Sequence, residues 1–147
     1  MQLIQVLSED CTKSAVDCQS KKRALEIISE LAAEKLAISD KEIFDSLFAR
    51  EKLGSTGIGQ GIAIPHGRIS NECPPTAVFI RCQQPISFDA IDKQPVDLLF
   101  ALLVPEEETK QYLKILAAVA EKLHDKTVCK QLRQATSDDE MYQIMTS

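Results

Sequence analysis

One of only two histidines in this 147-residue chain, His66, lies in a run that contains all five of its glycines: Gly54, Gly57, Gly59, Gly61 and Gly67. Glycine concentrated in one segment signals backbone with φ > 0, or backbone brought close to something. Successive glycines can turn their N–H groups toward one concavity that holds an anion, and Ser55 and Thr56 add hydroxyl donors beside it. Arg50, just upstream, offers a permanent charge and a planar fork matched to phosphate oxygens. Pro65 restricts the approach to His66, and Gly67 removes side-chain bulk next to it. A neutral imidazole, with an ordinary pKa of about 6.5, is a nitrogen nucleophile toward phosphorus near pH 7. The same residues also fit a set of tight turns around a structural histidine, and residue types alone leave both readings open.

Other chemistries find less support. There is no G-x-x-x-x-G-K-[ST] loop, and Gly57-x-Gly59-x-Gly61 follows an expected helix rather than the strand that opens a dinucleotide-binding unit. With two histidines and no Cys/His/carboxylate cluster around them, no metal site is expected, and no cofactor is called for. Seventeen basic residues against twenty-two acidic ones give a net charge of −5, which argues against a nucleic-acid ligand and for protein partners. The start of the chain lacks a signal-peptide pattern and no run approaches a membrane span, so a cytoplasmic protein without membrane insertion is expected. Cys11, Cys18, Cys73, Cys82 and Cys129 are odd in number and contain no C-x-x-C pair, which points to reduced, mostly buried thiols.

The elements that must position His66 follow from periodicity. Ser20 caps a helix with Ala24, Leu25, Ile28, Leu31 and Ala32 on its apolar face. Ser39-Asp-Lys-Glu42 has the capping-box form and opens a second helix, buried through Ile43, Phe44, Leu47 and Phe48, that ends near Leu53 where the glycines begin. Ile62–Ile64, Thr76–Cys82 and Val96–Val104 read as strands, the last apolar almost throughout and suited to a central position covered on both faces. Beyond Pro105 a long helix is expected with Leu113, Leu116, Ala117, Ala120 and Leu123 inward. A second follows from Asp125, and Ser137-Asp-Asp-Glu140 caps a short terminal one. His124, at the end of the long helix, reads as a C-terminal cap favoured by the helix dipole. Strands not separated by regular helical crossovers predict an α+β fold, a three-layer α/β/α sandwich with a mixed central sheet, in a single domain over 1–147.

The stretch from Leu47 through Arg50-Glu-Lys-Leu-Gly-Ser-Thr-Gly-Ile-Gly-Gln-Gly-Ile-Ala-Ile-Pro-His66-Gly resembles the active-site signature of the type-2 enzyme IIA proteins of the bacterial phosphoenolpyruvate phosphotransferase system. Ser20–Leu31, Phe88–Pro105 and Asp125–Cys129 resemble its nitrogen-regulatory branch, and the likeness runs from near Cys11 to the last helix. The resemblance implies that His66 accepts a phosphoryl group from a small phosphocarrier, the HPr paralogue NPr, with Arg50 helping to hold it. Ser55 and Thr56 then stand as the further phosphate-binding residues. It also implies a phosphorylation-dependent regulator of partner proteins. Sugar-specific members carry a second active-site histidine where this chain has Tyr112. A phenol can donate to phosphate but cannot become a cation, which predicts poor transfer to an enzyme IIB. A sugar-transport component and a pure binding module stand as the alternatives. Ile58 is the expected apolar contact for the docking donor.

Overall fold

In the computed structural model, which describes residues 2–147 apart from the side chain of Thr109, a short 3-10 turn (Leu3–Gln5) leads into β1 (Leu7–Val16). There follow α1 (Lys21–Leu36), α2 (Asp40–Leu53), β2 (Gly57–Gly59), β3 (Ile62–Ala63), β4 (His66–Ile69), β5 (Thr76–Ile86) and β6 (Val96–Pro105). The chain ends with α3 (Thr109–His124), α4 (Lys126–Gln134) and α5 (Asp138–Thr146). The caps form where the sequence places them. Ser20, Ser39 and Ser137 accept from the backbone N–H of Arg23, Glu42 and Glu140, and Asp125 caps α4.

The strands form one mixed sheet in the order β1-β5-β6-β3-β2, with β4 also paired to β6. β5 and β6 are antiparallel, whereas β1 is parallel to β5 and both β3 and β4 are parallel to β6. Alternation along β6 divides the core. Leu99, Ala101 and Leu103 face the layer of α1 and α2, while Leu98, Phe100, Leu102 and Val104 face the layer of α3, α4 and α5. The expected three-layer sandwich is therefore the observed one, and β6 is buried on both faces from Leu98 to Val104, as its apolar run requires.

Three sequence readings change. β1 was not expected, because Ser8, Glu9, Asp10, Thr12, Lys13 and Ser14 hide its period. It lies at the sheet edge and pairs with β5 through an irregular register; Glu9 and Asp10 are exposed, whereas the buried Thr12 hydroxyl donates to Ser8 O and Ser14 N–H donates to Asp138. α3 is rotated from the expected face: Ile115, Val119 and Leu123 are buried, whereas Leu113, Ala117 and Ala120 are exposed. Tyr112, Ile115, Leu116, Val119 and Leu123 make the i, i+3, i+4, i+7, i+11 stripe that lies on the sheet. Finally, His66 lies outside the expected strands yet is the first residue of one, β4. Residues 62–69 run parallel along β6 in two pieces, and Leu102 N–H donates to Pro65 O at 2.8 Å across the break.

Among the described residues no helix is long and apolar enough to cross a membrane. The cysteines are free thiols, four of them buried and Cys73 half-buried.

Candidate functional site

The glycine run turns out to serve packing more than ligand binding. Gly59 and Gly61, at φ +99° and +80°, flank Gln60 at φ +58° in the tight turn between β2 and β3, a conformation that favours glycine. That turn is pinned from both sides, with Gln60 N–H donating to Asp92 and Arg133 donating to Gln60 O. Gly67 lies against α2: a Cβ there would stand 2.9 Å from Ser46 Oγ and 3.3 Å from Leu47 N. Only by lacking that carbon can β4 bring His66 in close beside α2.

This approach makes the site. Arg50, in the last turn of α2, donates from Nε to His66 Nε2 at 2.9 Å and from Nη1 to Gly54 O at 2.8 Å. His66 Nδ1 lies 3.2 Å from Ile64 O. An arginine N–H can only donate and a carbonyl can only accept, so the pair of contacts selects one tautomer. Nδ1 carries the hydrogen and Nε2 carries the lone pair. Burial pushes the His66 pKa below 6.5, and the charges of Arg50 and Arg68 push the same way against the Ile64 carbonyl and Glu51. The ring is thereby a neutral base at pH 7, the form that can attack.

His66 opens onto a cavity of about 240 Å³ lined by Ser46, Arg50, His66, Gly67, Arg68 and Tyr112. That falls below the ~300–1,000 Å³ of most small-molecule sites, so it suits a small group presented by another molecule. Arg68 follows His66 by two positions on β4 and so emerges on the same side of the strand. Its N–H is fixed by Ser46 Oγ at 2.7 Å and its guanidinium lies over the Tyr112 ring, 5.3 Å from the centroid. Tyr112 in turn sits 5.4 Å, centroid to centroid, from His66. Burial raises the Tyr112 pKa against the pull of Arg50 and Arg68, so the phenol keeps its proton and can donate.

The residues expected around phosphate are thus only partly brought together. Arg50 is in place. Ser55 and Thr56 do not line the cavity, because local partners have taken both hydroxyls. Ser55 Oγ donates to Phe88 O at 2.7 Å and accepts from Gly57 N–H, while Thr56 is buried and donates to the Glu51 carboxylate. Of the five glycines only Gly67 lines the cavity, so the expected anion nest is not built there. Ile58 is 51% exposed but borders a separate groove with Ala120 and His124, and His124 ends α3 there. Residue types and spacing alone do not mark Arg68 or Ser46 as site residues. The available signal was the strand period from His66 to Arg68, masked by Gly67 between them.

Residues 5–147 match the model of the family described as phosphoenolpyruvate-dependent sugar phosphotransferase system, EIIA 2. The chain belongs to that EIIA 2 family. It is 57% identical to the nitrogen regulatory protein of Escherichia coli K12 over 147 residues, covering 99% of this chain and 90% of that one. Nitrogen regulatory protein IIA-Ntr from Neisseria meningitidis superposes with a TM-score of 0.91 at 41% identity, with 97% of each chain covered. The Escherichia coli enzyme IIA for mannitol, in a solution structure of its complex with phosphorylated enzyme IIB, matches at TM-score 0.76 and 19% identity, a likeness of fold alone. Within the EIIA 2 family the chain resembles nitrogen regulatory proteins in both sequence and shape.

Proposed function

We propose that this EIIA 2 protein accepts a phosphoryl group on His66 Nε2 from an NPr-like phosphocarrier and regulates partner proteins according to its phosphorylation state. The observation that carries this reading is the orientation of one ring: Nδ1–H held by Ile64 O, Nε2 with its lone pair toward a cationic cavity.

In the proposed step Arg50 gives up its bond to Nε2 as the donor's phosphohistidine approaches. The Nε2 lone pair attacks phosphorus in line while the donor's P–N bond breaks, and the donor imidazole leaves with that electron pair. Nδ1 keeps its hydrogen on Ile64 O throughout, so the positive charge that develops on the ring meets a carbonyl dipole. Arg50 then moves from the lone pair to the equatorial oxygens, joined by Arg68 and the Tyr112 hydroxyl. Ser55 and Thr56 shape the preceding loop instead of holding phosphate.

The phosphoryl group adds nearly two negative charges at an arginine-lined opening, which is enough to make or break a partner contact without a large movement of the fold. Transfer onward to a sugar-specific enzyme IIB is the weaker alternative, because Tyr112 fills the place beside His66 where a second imidazole would serve. The reading takes 1–147 as one EIIA domain working in the cytoplasm.

Intact mass after incubation with phosphoenolpyruvate, enzyme I-Ntr and NPr tests it. A gain of one phosphoryl group, lost in acid and absent in His66→Ala, is expected. No gain would leave a binding module whose histidine is never modified.

A further inference from the structure

Glu51 has no part in the step above, yet its carboxylate is among the best-partnered polar groups in the molecule. The side chain is 2% exposed. It accepts from Thr56 N–H at 3.2 Å and from the Thr56 hydroxyl, and Lys21 Nζ, from the first turn of α1, closes on Oε2 at 2.7 Å. Lys21 is itself steadied by Phe88, whose carbonyl it meets at 3.3 Å and whose ring it covers at 4.5 Å.

What Glu51 holds leads back to the imidazole. Thr56 O accepts from Ile64 N–H at 3.0 Å, and Ile64 O is the acceptor that fixes His66 Nδ1. The other ring nitrogen is taken by Arg50, the residue next to Glu51 in the chain. The hydrogen bonds therefore close a loop: Glu51 to Thr56, Thr56 to Ile64, Ile64 to His66, His66 to Arg50, and one peptide bond from Arg50 back to Glu51. Both nitrogens of His66 are set from a single point at the end of α2.

We propose that Glu51 is a positioning residue that fixes the orientation and tautomer of His66 through Thr56 and Ile64. Two neighbouring side chains on one rigid helix end thus grip the ring from opposite sides, Arg50 directly and Glu51 through two backbone links. Lys21 extends the grip to α1, so both α1 and α2 anchor the segment that holds the histidine. A carboxylate is suited to this place because it accepts from the amide and hydroxyl of Thr56 and from an ammonium at once, which a carboxamide, with two of its own N–H donors, cannot do.

The consequence for phosphorylation rests on the phosphoacceptor reading, but the positioning itself is read by ring ¹⁵N NMR of the unphosphorylated protein. Wild type is expected to show one tautomer with the hydrogen on Nδ1. In Glu51→Gln the ring should sample both tautomers, and phosphorylation by potassium phosphoramidate, which needs no docking partner, should slow about 10- to 100-fold. Thr56→Val, which removes only the hydroxyl link, should shift the tautomer balance the same way by less, and it serves if Glu51→Gln does not fold. Ser39→Ala loosens the other end of α2 and lies outside the loop of bonds, so it should lower the melting temperature while leaving the tautomer unchanged. A wild-type ring spectrum in the folded Glu51→Gln protein, or in Thr56→Val if that alone folds, overturns the proposal. If the tautomer responds but wild type takes no phosphoryl group, positioning stands and the phosphoacceptor reading fails.

Discussion

Replacing Arg50 with alanine removes the group on which the electrostatics of the site depend most. Its Nε lies 2.9 Å from the nitrogen that is proposed to bond phosphorus, so equatorial oxygens on that phosphorus would come within about 4 Å of the guanidinium. At an effective dielectric of ~20, suited to a half-buried site, one such charge pair contributes about 4 kcal/mol. Part of that is already present in the donor complex and does not lower the barrier. The share realised only in the transition state should resemble the loss of an oxyanion-hole donor, about 10²–10³ in rate. Time-resolved intact mass with NPr or phosphoramidate as donor should therefore give Arg50→Ala a rate lower by that factor. Arg50→Lys should fall between, keeping charge but losing the fork that reaches His66 and Gly54 together. The fold should persist, since Arg50 lies at the end of α2 and outside the hydrophobic clusters. Wild-type rates in a folded Arg50→Ala protein would refute the reasoning, because among the described residues no other bonds Nε2.

The same geometry sets the pH dependence of the site and the tolerance for a side chain at position 67. His66 has a folded pKa below 6.5, so its reactive neutral form should give a phosphorylation rate that is flat above that value and declines only below it. Stability has the same sign. The unfolded chain binds the proton more readily, so stability is full above the unfolded pKa and is lost as pH falls through it toward the lower folded value. Removing Arg50 should move the rate profile to higher pH, and ring NMR titrations of the two proteins check this directly. Gly67→Ala is predicted to cost about 1–3 kcal/mol, since its new carbon meets Ser46 Oγ at 2.9 Å and the α2 backbone at 3.3 Å. It should also slow phosphorylation by moving His66 away from Arg50. Urea unfolding together with the mass assay measures both effects, and unchanged stability would show that β4 and α2 have room to separate.

The fold was legible wherever one face of an element has a single environment. α1 and α2 carry their burial in their period, and β6 carries it in a near-continuous apolar run. β1 does neither, because its buried Thr12 and Ser14 are polar and find partners in Ser8 and Asp138, while Glu9 and Asp10 are exposed. α3 carries two apolar stripes, and only the position of the sheet decides between them. Tyr112 and Leu113 are adjacent, yet one meets His66 and the other lies 57% exposed.

At the site, His66 and Arg50 stood out through the resemblance to the type-2 enzyme IIA signature, since residue types alone fit a structural histidine equally well. Ser55 and Thr56 misled for the converse reason. Short hydroxyls find backbone and carboxylate partners within their own loop, and the sequence contains no sign that Glu51 and Phe88 are those partners. Arg68 was hidden because Gly67 breaks the alternation that marks a strand. The glycines themselves were correctly read as a demand for unusual backbone, but the demand came from a hairpin turn and from helix packing.

The most direct test of the account is the bond it predicts. Phosphorylated protein labelled with ¹⁵N in the histidine ring should show phosphorus coupled to Nε2 of His66, with the hydrogen still on Nδ1. Phosphorus on Nδ1, or on any other residue, would contradict it.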